Sequence, residues 1–539
     1  MAVRSRRSLV VVFLVILTCG FLGVVFGRTA AAGTGEEQQM QGSAHAFAQA
    51  YSVLEQNYAD KVDADKAIYE GAIPGMLRGL DPHSNFLDPK NYSALQEEQR
   101  GRYYGVGMQV GPRNSKVIVI APFAGAPAYR AGIRPGDVIS AVDGHVTDNL
   151  STAEVADLLK GPKGTTVHIT ILREGSPKPL EFAIVRDEIP RYSVDVHFVI
   201  RPGIGYLHIN GFQETTEAET QAALDEMGEL KGLILDLRNN PGGLLNEGVG
   251  VADKFLKKGQ VIVSHHGRNS PEQVYRAAHG TTKDYPIVVL VNHGTASAAE
   301  IVSGALQDHD RGLIAGEPTF GKGLVQTVFR LSENTGLLLT TAKYYTPSGR
   351  LIQRDYSGVS LYDYYYNRNQ TDYSINGSKL DDANREVKLT DSGRTVYGGG
   401  GITPDVKVAA LKANKFQEDL LRKYAFFNFS KHYTINHKVD KNFAVDDTVL
   451  KEFREFLKDA KLEYAEKDLT ENLDWVKADI KSELFVSAFG QQQGQIVQAE
   501  ADPTVLKALE LMPKAKELQE TARKTIAEHN QARLNSPAK

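Results

Sequence analysis

At 539 residues the chain has room for several domains and a substantial core. A net charge of −4 with 24% charged residues gives no polycationic signal, so no nucleic-acid partner is expected. The single cysteine, Cys19, leaves the rest of the chain without disulfides, Cys–metal centres or a thiol nucleophile.

Arg4, Arg6 and Arg7 precede an uncharged run from Ser8 to Gly27, close to the ~20 residues that cross a bilayer as a helix. Positive residues stay on the cytoplasmic side, which predicts an extracytoplasmic location for the chain beyond Gly27, the periplasm in a Gram-negative cell. The length of the run favours a retained membrane anchor, whereas Ala30-Ala31-Ala32 offers a cleavage site, and both readings stay open. Leu17-Thr18 before Cys19 make a poor lipidation signal. Residues 1–32 are therefore read as leader or anchor, and the Gly-, Glu- and Gln-rich residues 33–44 as a linker. Phe47, Tyr51, Leu54, Tyr58, Ile68, Ile73, Met76 and Leu77 recur at roughly helical spacing and predict a small helical domain, closed by turn chemistry at Leu80-Asp81-Pro82-His83-Ser84. Linker and helices together make an N-terminal segment over 33–101.

Residues 102–187 alternate short strand patterns with glycine turns. Strands are predicted at Lys116–Ala121, Asp137–Val142, Thr166–Leu172 and Leu180–Val185, with a helix from Ser151 to Lys160 capped by Ser151. Tyr104-Gly105-Val106-Gly107 has the glycines that let successive N–H groups converge on an anion. With Ala131-Gly-Ile-Arg-Pro-Gly-Asp-Val-Ile139 and Val142-Asp-Gly144, this segment resembles a bacterial PDZ domain. The resemblance implies capture of a peptide's C-terminal carboxylate by Tyr104–Gly107, with the peptide added as a strand at a sheet edge. By analogy Arg173 is a candidate sensor of the bound tail, set against its reading as an ordinary surface arginine.

An α/β region occupies residues 188–410. Ile204–Asn210 and Gly232–Leu237 read as buried strands around a helix in Glu217–Gly228, and Arg238-Asn-Asn-Pro-Gly-Gly243 leads into a helix from about Asn246 to Leu256. The run Pro286–Asn292 is a buried-strand pattern, His293-Gly294-Thr295 a turn, and a helix starts near Ser297. Ser297 thus stands where a strand turns into a helix, beside N–H groups without intrahelical partners, a place where a lone serine is more often a simple N-cap. Gly316-Glu-Pro-Thr-Phe-Gly321-Lys322 fits the start of a phosphate-binding loop. Gly323 stands where the Mg²⁺-binding hydroxyl is needed, and a strand comes next in place of a helix, so nucleotide binding is rejected. No Gly-x-Ser-x-Gly elbow or His-Glu-x-x-His pattern occurs. His265-His266, read as loop, and Asp308-His309-Asp310, at a helix end, are weak metal candidates; no metal or cofactor is expected. Thr340–Arg350 and Gly398–Val406 bracket a Tyr- and Asn-rich loop or hairpin. Residues 411–539 read as charged helices, with Val449, Phe453, Phe456, Leu457 and Ala460 on one face and Asp502-Pro503 starting another helix; packing or subunit contact is their default role.

Gly294-Thr-Ala-Ser-Ala-Ala-Glu300, Gly321-Lys-Gly-Leu-Val-Gln326, Asp236-Leu-Arg-Asn-Asn-Pro-Gly-Gly243 and Gly401-Ile-Thr-Pro-Asp405 together resemble the carboxy-terminal processing proteases, serine peptidases that couple a PDZ domain to a Ser–Lys catalytic domain. The implied fold is multidomain α/β: an N-terminal helical segment, a β-rich PDZ-like domain, an α/β protease core and a C-terminal helical region. The implied nucleophile is Ser297, the general base Lys322, and Gln326 orients the amine. A lysine amine titrates near 10.4, and service as a base near neutrality requires lowering it by roughly three pH units, about 4 kcal/mol; burial against Phe320 and Leu324 would supply this. An oxyanion hole needs two N–H donors, the first at Ala298 and the second at Gly242 or Gly243. The implied activity is an extracytoplasmic endopeptidase that recognises protein C-termini, compatible with a homodimer through its helical segments and silent on any activating partner. The alternative is a non-catalytic PDZ scaffold of the cell envelope.

Overall fold

The computed structural model describes residues 35–366, 385–409 and 412–535. The arginine-rich start, the apolar run with Cys19, the Ala30–Ala32 cleavage candidate and residues 367–384 of the Tyr- and Asn-rich segment lie outside them. Among the described residues no helix is long and apolar enough to cross a membrane. The chain divides into two compact units, one up to Gly79 and one from Leu80.

In the first unit the expected linker is a correction, because helix Gly35–Asn57 already includes most of it. Its Glu, Gln and Met residues are good helix formers, and propensity outweighed the flexible-linker composition. The expected small helical domain has almost no core of its own: Phe47, Leu54, Tyr58 and Met76 are exposed, and in Lys66–Ala72 and Ile73–Arg78 only Leu77 is buried.

The second unit begins with the β-rich part. Strands Met108–Arg113, Lys116–Pro122, Val138–Val142, Thr166–Leu172 and Leu180–Val185 pair antiparallel in that order, with His145–Val146 on Val138–Val142. Along Thr166–Leu172, Val167, Ile169 and Ile171 are buried while Thr166 and His168 face out, the two-residue period of a half-buried strand. Helix Thr152–Leu159 starts in a capping box, Ser151 N–H donating to Glu154 at 2.7 Å and Glu154 N–H to Ser151 Oγ at 3.3 Å. A ribbon of Arg102–Gly105 with Asp187–Pro190 joins this part to the core.

The core is a six-stranded sheet whose lateral order follows the chain: Val194–Arg201, Ile204–Ile209, Gly232–Asp236, Ile287–Val291, Leu313–Gly316, Val406–Lys407. The first pair is antiparallel and the rest parallel, as strand–helix–strand crossovers require. Both faces are covered. Ile287, Val289 and Val291 pack with helices Thr216–Glu226, Leu245–Asp253 and Ala298–Asp308, while Val288 and Leu290 pack with Val505, Ala508, Leu511 and Met512 of helix Pro503–Asn535. That last helix therefore belongs to the core's own layering, whereas the helices between Lys415 and Phe489 form a separate cluster around Phe429, Phe453 and Ile480. A second, antiparallel sheet holds Asn85–Leu87, Gly336–Tyr345, Val261–Gly267 and Ser270–Arg276, with Leu324–Arg330 also on Gly336–Tyr345. His265 and His266 lie in this sheet, a correction to their reading as loop; alternation turns them to opposite faces, His265 against Tyr275 and His266 stacked on Tyr345.

Candidate functional site

Ser297 stands at the strand-to-helix turn after Ile287–Val291, with φ +54° and ψ −117°, a conformation that side-chain-bearing residues rarely adopt. The turn is held from below: Thr295 Oγ1 donates to Leu237 O at 2.8 Å, Ala296 N–H to Asn240 O at 2.8 Å, and Ser297 N–H to Glu300 Oε2 at 2.8 Å. Such strain persists only where surroundings over-determine it, as these hydrogen bonds do here.

Glu300 is fully buried. Its carboxyl accepts from Ser297 N–H, from Lys322 N–H at 2.9 Å, from Gly321 N–H at 2.7 Å and from the Thr319 hydroxyl. Burial pushes this carboxyl up from the usual range, against the pull of those donors. Tyr344, also buried, places its hydroxyl 2.6 Å from Lys322 O and 3.1 Å from Ser297 O. Two side chains thus clamp the Ser297 turn to the Lys322 loop.

Burial lowers the Lys322 amine from its ordinary value, opposed by the charges of Glu300 and Asp81. Phe320 and Leu324, the expected apolar neighbours, are both buried, and Phe320 clusters with Ala296 and Tyr364. Nζ donates to Gln326 Oε1 at 2.6 Å and makes no hydrogen bond to Ser297 Oγ. Gln326 lies on Leu324–Arg330 at a register shift between Val325 and Gln326. Its Nε2 donates to His83 O at 2.6 Å.

The glycine turn also reaches this place, and it separates the two oxyanion candidates. Gly242 N–H donates to Asn240 Oδ1 at 2.8 Å, so that donor is already engaged. A Cβ on Gly242 would meet Ser297 Cβ at 2.6 Å, so its role is close approach. The N–H groups of Gly243 and Ala298 make no hydrogen bond to the described residues. The fold thus gathers Ser297, Lys322, Gln326, Ala298, Gly242 and Gly243 in one place, and of the two glycine candidates Gly242 has its N–H engaged within the turn while Gly243 does not.

In the β-rich part, Tyr104 and Gly105 belong to the joining ribbon, opposite Glu188 and Asp187, and so are not purely loop. Val106 O accepts from Ala128 and Gly107 O from Phe123, while Gly107 has φ +74°. Arg173 departs from the surface reading. Its Nε and Nη2 each donate to Asp137 at 2.7 Å, Nη2 also reaches Gly132 O at 2.8 Å, and Asp137 is buried. Its fork is thus committed to its own domain. Among the described residues no cluster suits a metal ion.

Sequence reasoning missed Glu300, Tyr344 and the Asp81–Ser84 turn as parts of this site. Glu300 had a signal, since Ser297-Ala-Ala-Glu300 is a capping-box spacing. The other two come from distant segments.

Comparison with known proteins then gives four family matches: Peptidase family S41 over residues 203–360, a PDZ domain over 118–173, the activating protease CtpB N-terminal domain over 27–91, and the C-terminal helical domain of a probable PDZ-protease over 416–467. The chain is similar to a carboxy-terminal-processing protease of Bartonella bacilliformis, 42% identical over 54% of this chain and 68% of the relative. It is also similar to a carboxyl-terminal-processing protease of Synechocystis sp., 41% identical over 52% of this chain and 68% of the relative. A carboxy-terminal processing protease of Bacillus subtilis is 36% identical over 57% and 66%.

Proposed function

This chain belongs to the carboxy-terminal-processing proteases, the PDZ-bearing serine peptidases of family S41, and from that premise we propose that it cleaves peptide bonds with Ser297 as nucleophile and Lys322 as general base. Membership sets the scaffold alternative aside. The observation that carries the Ser–Lys reading is the state of Lys322: an amine withdrawn from water and bonded to Gln326, beside a strained serine tied to the same buried Glu300.

In the proposed reaction the neutral Lys322 amine takes the Ser297 hydroxyl proton as Oγ attacks the substrate carbonyl carbon. Ala298 and Gly243 N–H groups receive the oxyanion. The ammonium returns the proton to the departing amine, leaving a seryl ester. Water, deprotonated by the same amine, then releases the acid and restores Ser297. The hydrogen bond between Ser297 Oγ and Lys322 Nζ forms with substrate in place, as catalytic contacts commonly tighten in the complex. Gln326 keeps one donor site of the amine engaged, which limits the directions in which its lone pair can point.

The PDZ domain is proposed to bring protein substrates by their C-terminal carboxylate through Tyr104–Gly107, and the arginine-rich start with its apolar run to place the enzyme outside the cytoplasm, tethered to the membrane or released from it. Self-association as a homodimer is part of the same proposal. The test is Ser297→Ala and Lys322→Ala, made separately and assayed on a denatured protein with an apolar C-terminus. Both are expected to lose cleavage, and full activity in either ends the Ser–Lys assignment. Amidation of the substrate's C-terminus is expected to slow the wild type.

A further inference from the structure

The Leu80–Ser84 turn lies far from the catalytic motifs in sequence, yet it ends against them. Asp81 Oδ1 accepts the N–H groups of His83 and Ser84, each at 2.8 Å, and Oδ2 accepts Ser84 Oγ at 2.7 Å. Ser84 Oγ in turn accepts Thr340 N–H at 3.1 Å, and the next residues, Asn85–Leu87, pair with Gly336–Leu338. The turn is therefore fixed to the same strand that carries Tyr344. What it presents is His83, whose carbonyl accepts Gln326 Nε2, the amide whose other end accepts from Lys322 Nζ.

The His83 ring is fixed just as closely. Nε2 lies 3.0 Å from the Tyr364 hydroxyl and Nδ1 3.1 Å from the Tyr365 hydroxyl. Tyr365 donates its single proton to Pro82 O, at 2.9 Å, so it accepts from Nδ1–H. Tyr364 accepts from Gln353 Nε2 at 3.2 Å, which leaves its own proton for Nε2. One neutral arrangement, with the ring protonated on Nδ1, satisfies every one of these bonds. Around it, Phe320, Tyr364 and Tyr365 present edges or faces at centroid distances of 5.5 to 6.3 Å.

We propose that His83 is a positioning residue for the base: its main-chain carbonyl selects the flip of Gln326 whose oxygen faces Lys322, and its neutral ring, held by Tyr364 and Tyr365, closes the amine's pocket to water. This rests on the Ser–Lys reading above. The Gln326 flip matters because the reversed amide would set an N–H donor against the ammonium and leave His83 O facing an acceptor. The ring's neutrality matters because a second cation there would compete with any charge on Lys322. The charged groups facing the pair are Asp81 and Glu300 for Lys322, and Lys322, Asp81 and Arg354 for His83. Burial and Lys322 lower the ring to about 4, so it stays neutral wherever the amine can act as a base.

The test is the pH dependence of cleavage by the full chain carrying His83→Ala, His83→Phe or Lys322→Ala, on the same denatured protein substrate. His83→Ala admits water to the amine and favours its charged form. The acidic limb of the kcat profile is expected to move up by about one pH unit and kcat near neutrality to fall about tenfold, with KM changed less than about twofold. Both His83 variants keep the main-chain carbonyl; His83→Phe also keeps the apolar cover, and is expected to return most of the limb toward wild type. A purely structural role would lower kcat evenly across pH, and an unmoved limb in His83→Ala overturns the proposal. If His83→Ala does not fold, a limb in His83→Phe shifted as far as in a water-exposed lysine overturns it equally. Activity in Lys322→Ala would instead remove the Ser–Lys reading itself.

Discussion

Ser297 and Lys322 donate their backbone N–H groups to the same carboxylate oxygen, Glu300 Oε2, at 2.8 and 2.9 Å. One buried acid thus sets the spacing of two residues from different loops, before either side chain does any chemistry. Their side chains share no hydrogen bond, so the alignment of the pair rests on backbone. This makes Glu300 the first place to perturb. Glu300→Gln removes the charge and turns an amide N–H toward a site built only of donors. It is expected to cost about 1–3 kcal/mol for each N–H left without a partner, and to reduce kcat/KM by about 100-fold or more. Calorimetry and steady-state kinetics on the same preparation check both, and an activity loss without any stability loss would contradict the clamp.

The strands, turns and helices that carry Ser297, Lys322 and the glycine turn were legible because each is local, while their gathering in one place was only what the family resemblance implied. The buried run Ile287–Val291, the turn and the Ala-rich helix sit consecutively, and a Gly-rich break marks the end of Gly232–Asp236. What was not legible depends on contacts between distant segments. Gly242 and Gly243 are equivalent as letters, and only the Asn240 side chain, itself anchored to Ile209 O, engages the first N–H and not the second. Arg173 reads as a surface arginine until Asp137 takes its fork. The Gly35–Asn57 helix was obscured because composition typical of a linker is also composed of helix formers.

Gly242 supports a prediction that separates approach from donation. A methyl group there would lie 2.6 Å from Ser297 Cβ, 2.8 Å from Ala296 O and 2.9 Å from Ala298 N, on a backbone with φ +96°. Gly242→Ala is therefore expected to displace Ser297, the proposed nucleophile, and its neighbouring N–H together, lowering kcat by about 100-fold, comparable to loss of an oxyanion donor, with a smaller change in KM. Gly243→Ala is the harsher change, since its methyl would meet Phe212 O at 2.1 Å where that carbonyl pairs with Leu244 N–H. Yield and thermal unfolding are expected to suffer in Gly243→Ala more than in Gly242→Ala, and the reverse order would refute this reading of the turn.

Lys322 links activity to stability with opposite signs. Burial lowers its amine in the folded chain, so between the folded and unfolded values the unfolded chain holds more protons and stability rises with pH. Below the folded value the protein carries a buried charge at a cost to stability. Lys322→Met keeps the stem and removes the charge. It is expected to abolish cleavage yet raise the melting temperature near pH 6, with the advantage shrinking as pH approaches the ordinary lysine range. Melting curves across pH check the trend, and a destabilised Lys322→Met at pH 6 would mean that its pairing with Glu300 and Asp81 outweighs desolvation.

A second pH effect lies where the helical cluster meets the PDZ domain. Arg113 stacks on Tyr424 and Phe427 at 4.0 and 4.3 Å and donates to Asn428 at 2.9 Å, while Lys431 pairs with Glu174 at 2.7 Å. Behind Arg113, helix Leu473–Phe489 carries Asp479 and Glu483 one turn apart. Burial raises them to about 6 and about 7, and for Glu483 the neighbouring Asp479 adds to the rise while Arg113 opposes it. Asp479 Oδ1 accepts from Gln498 at 2.6 Å, but Oδ2 has no hydrogen-bond partner. The folded chain therefore holds protons that the unfolded chain releases above about pH 4.5. The stabilisation present at low pH is lost as pH rises through about 7. Glu483→Gln removes the ionisation while keeping the shape. Its melting temperature is expected to match wild type near pH 4 and to exceed it by a margin that grows until about pH 8. A constant difference at all pH values would show that Glu483 acts through contacts alone, and a deficit at pH 8 would show that its attraction to Arg113 exceeds the cost of burying its charge.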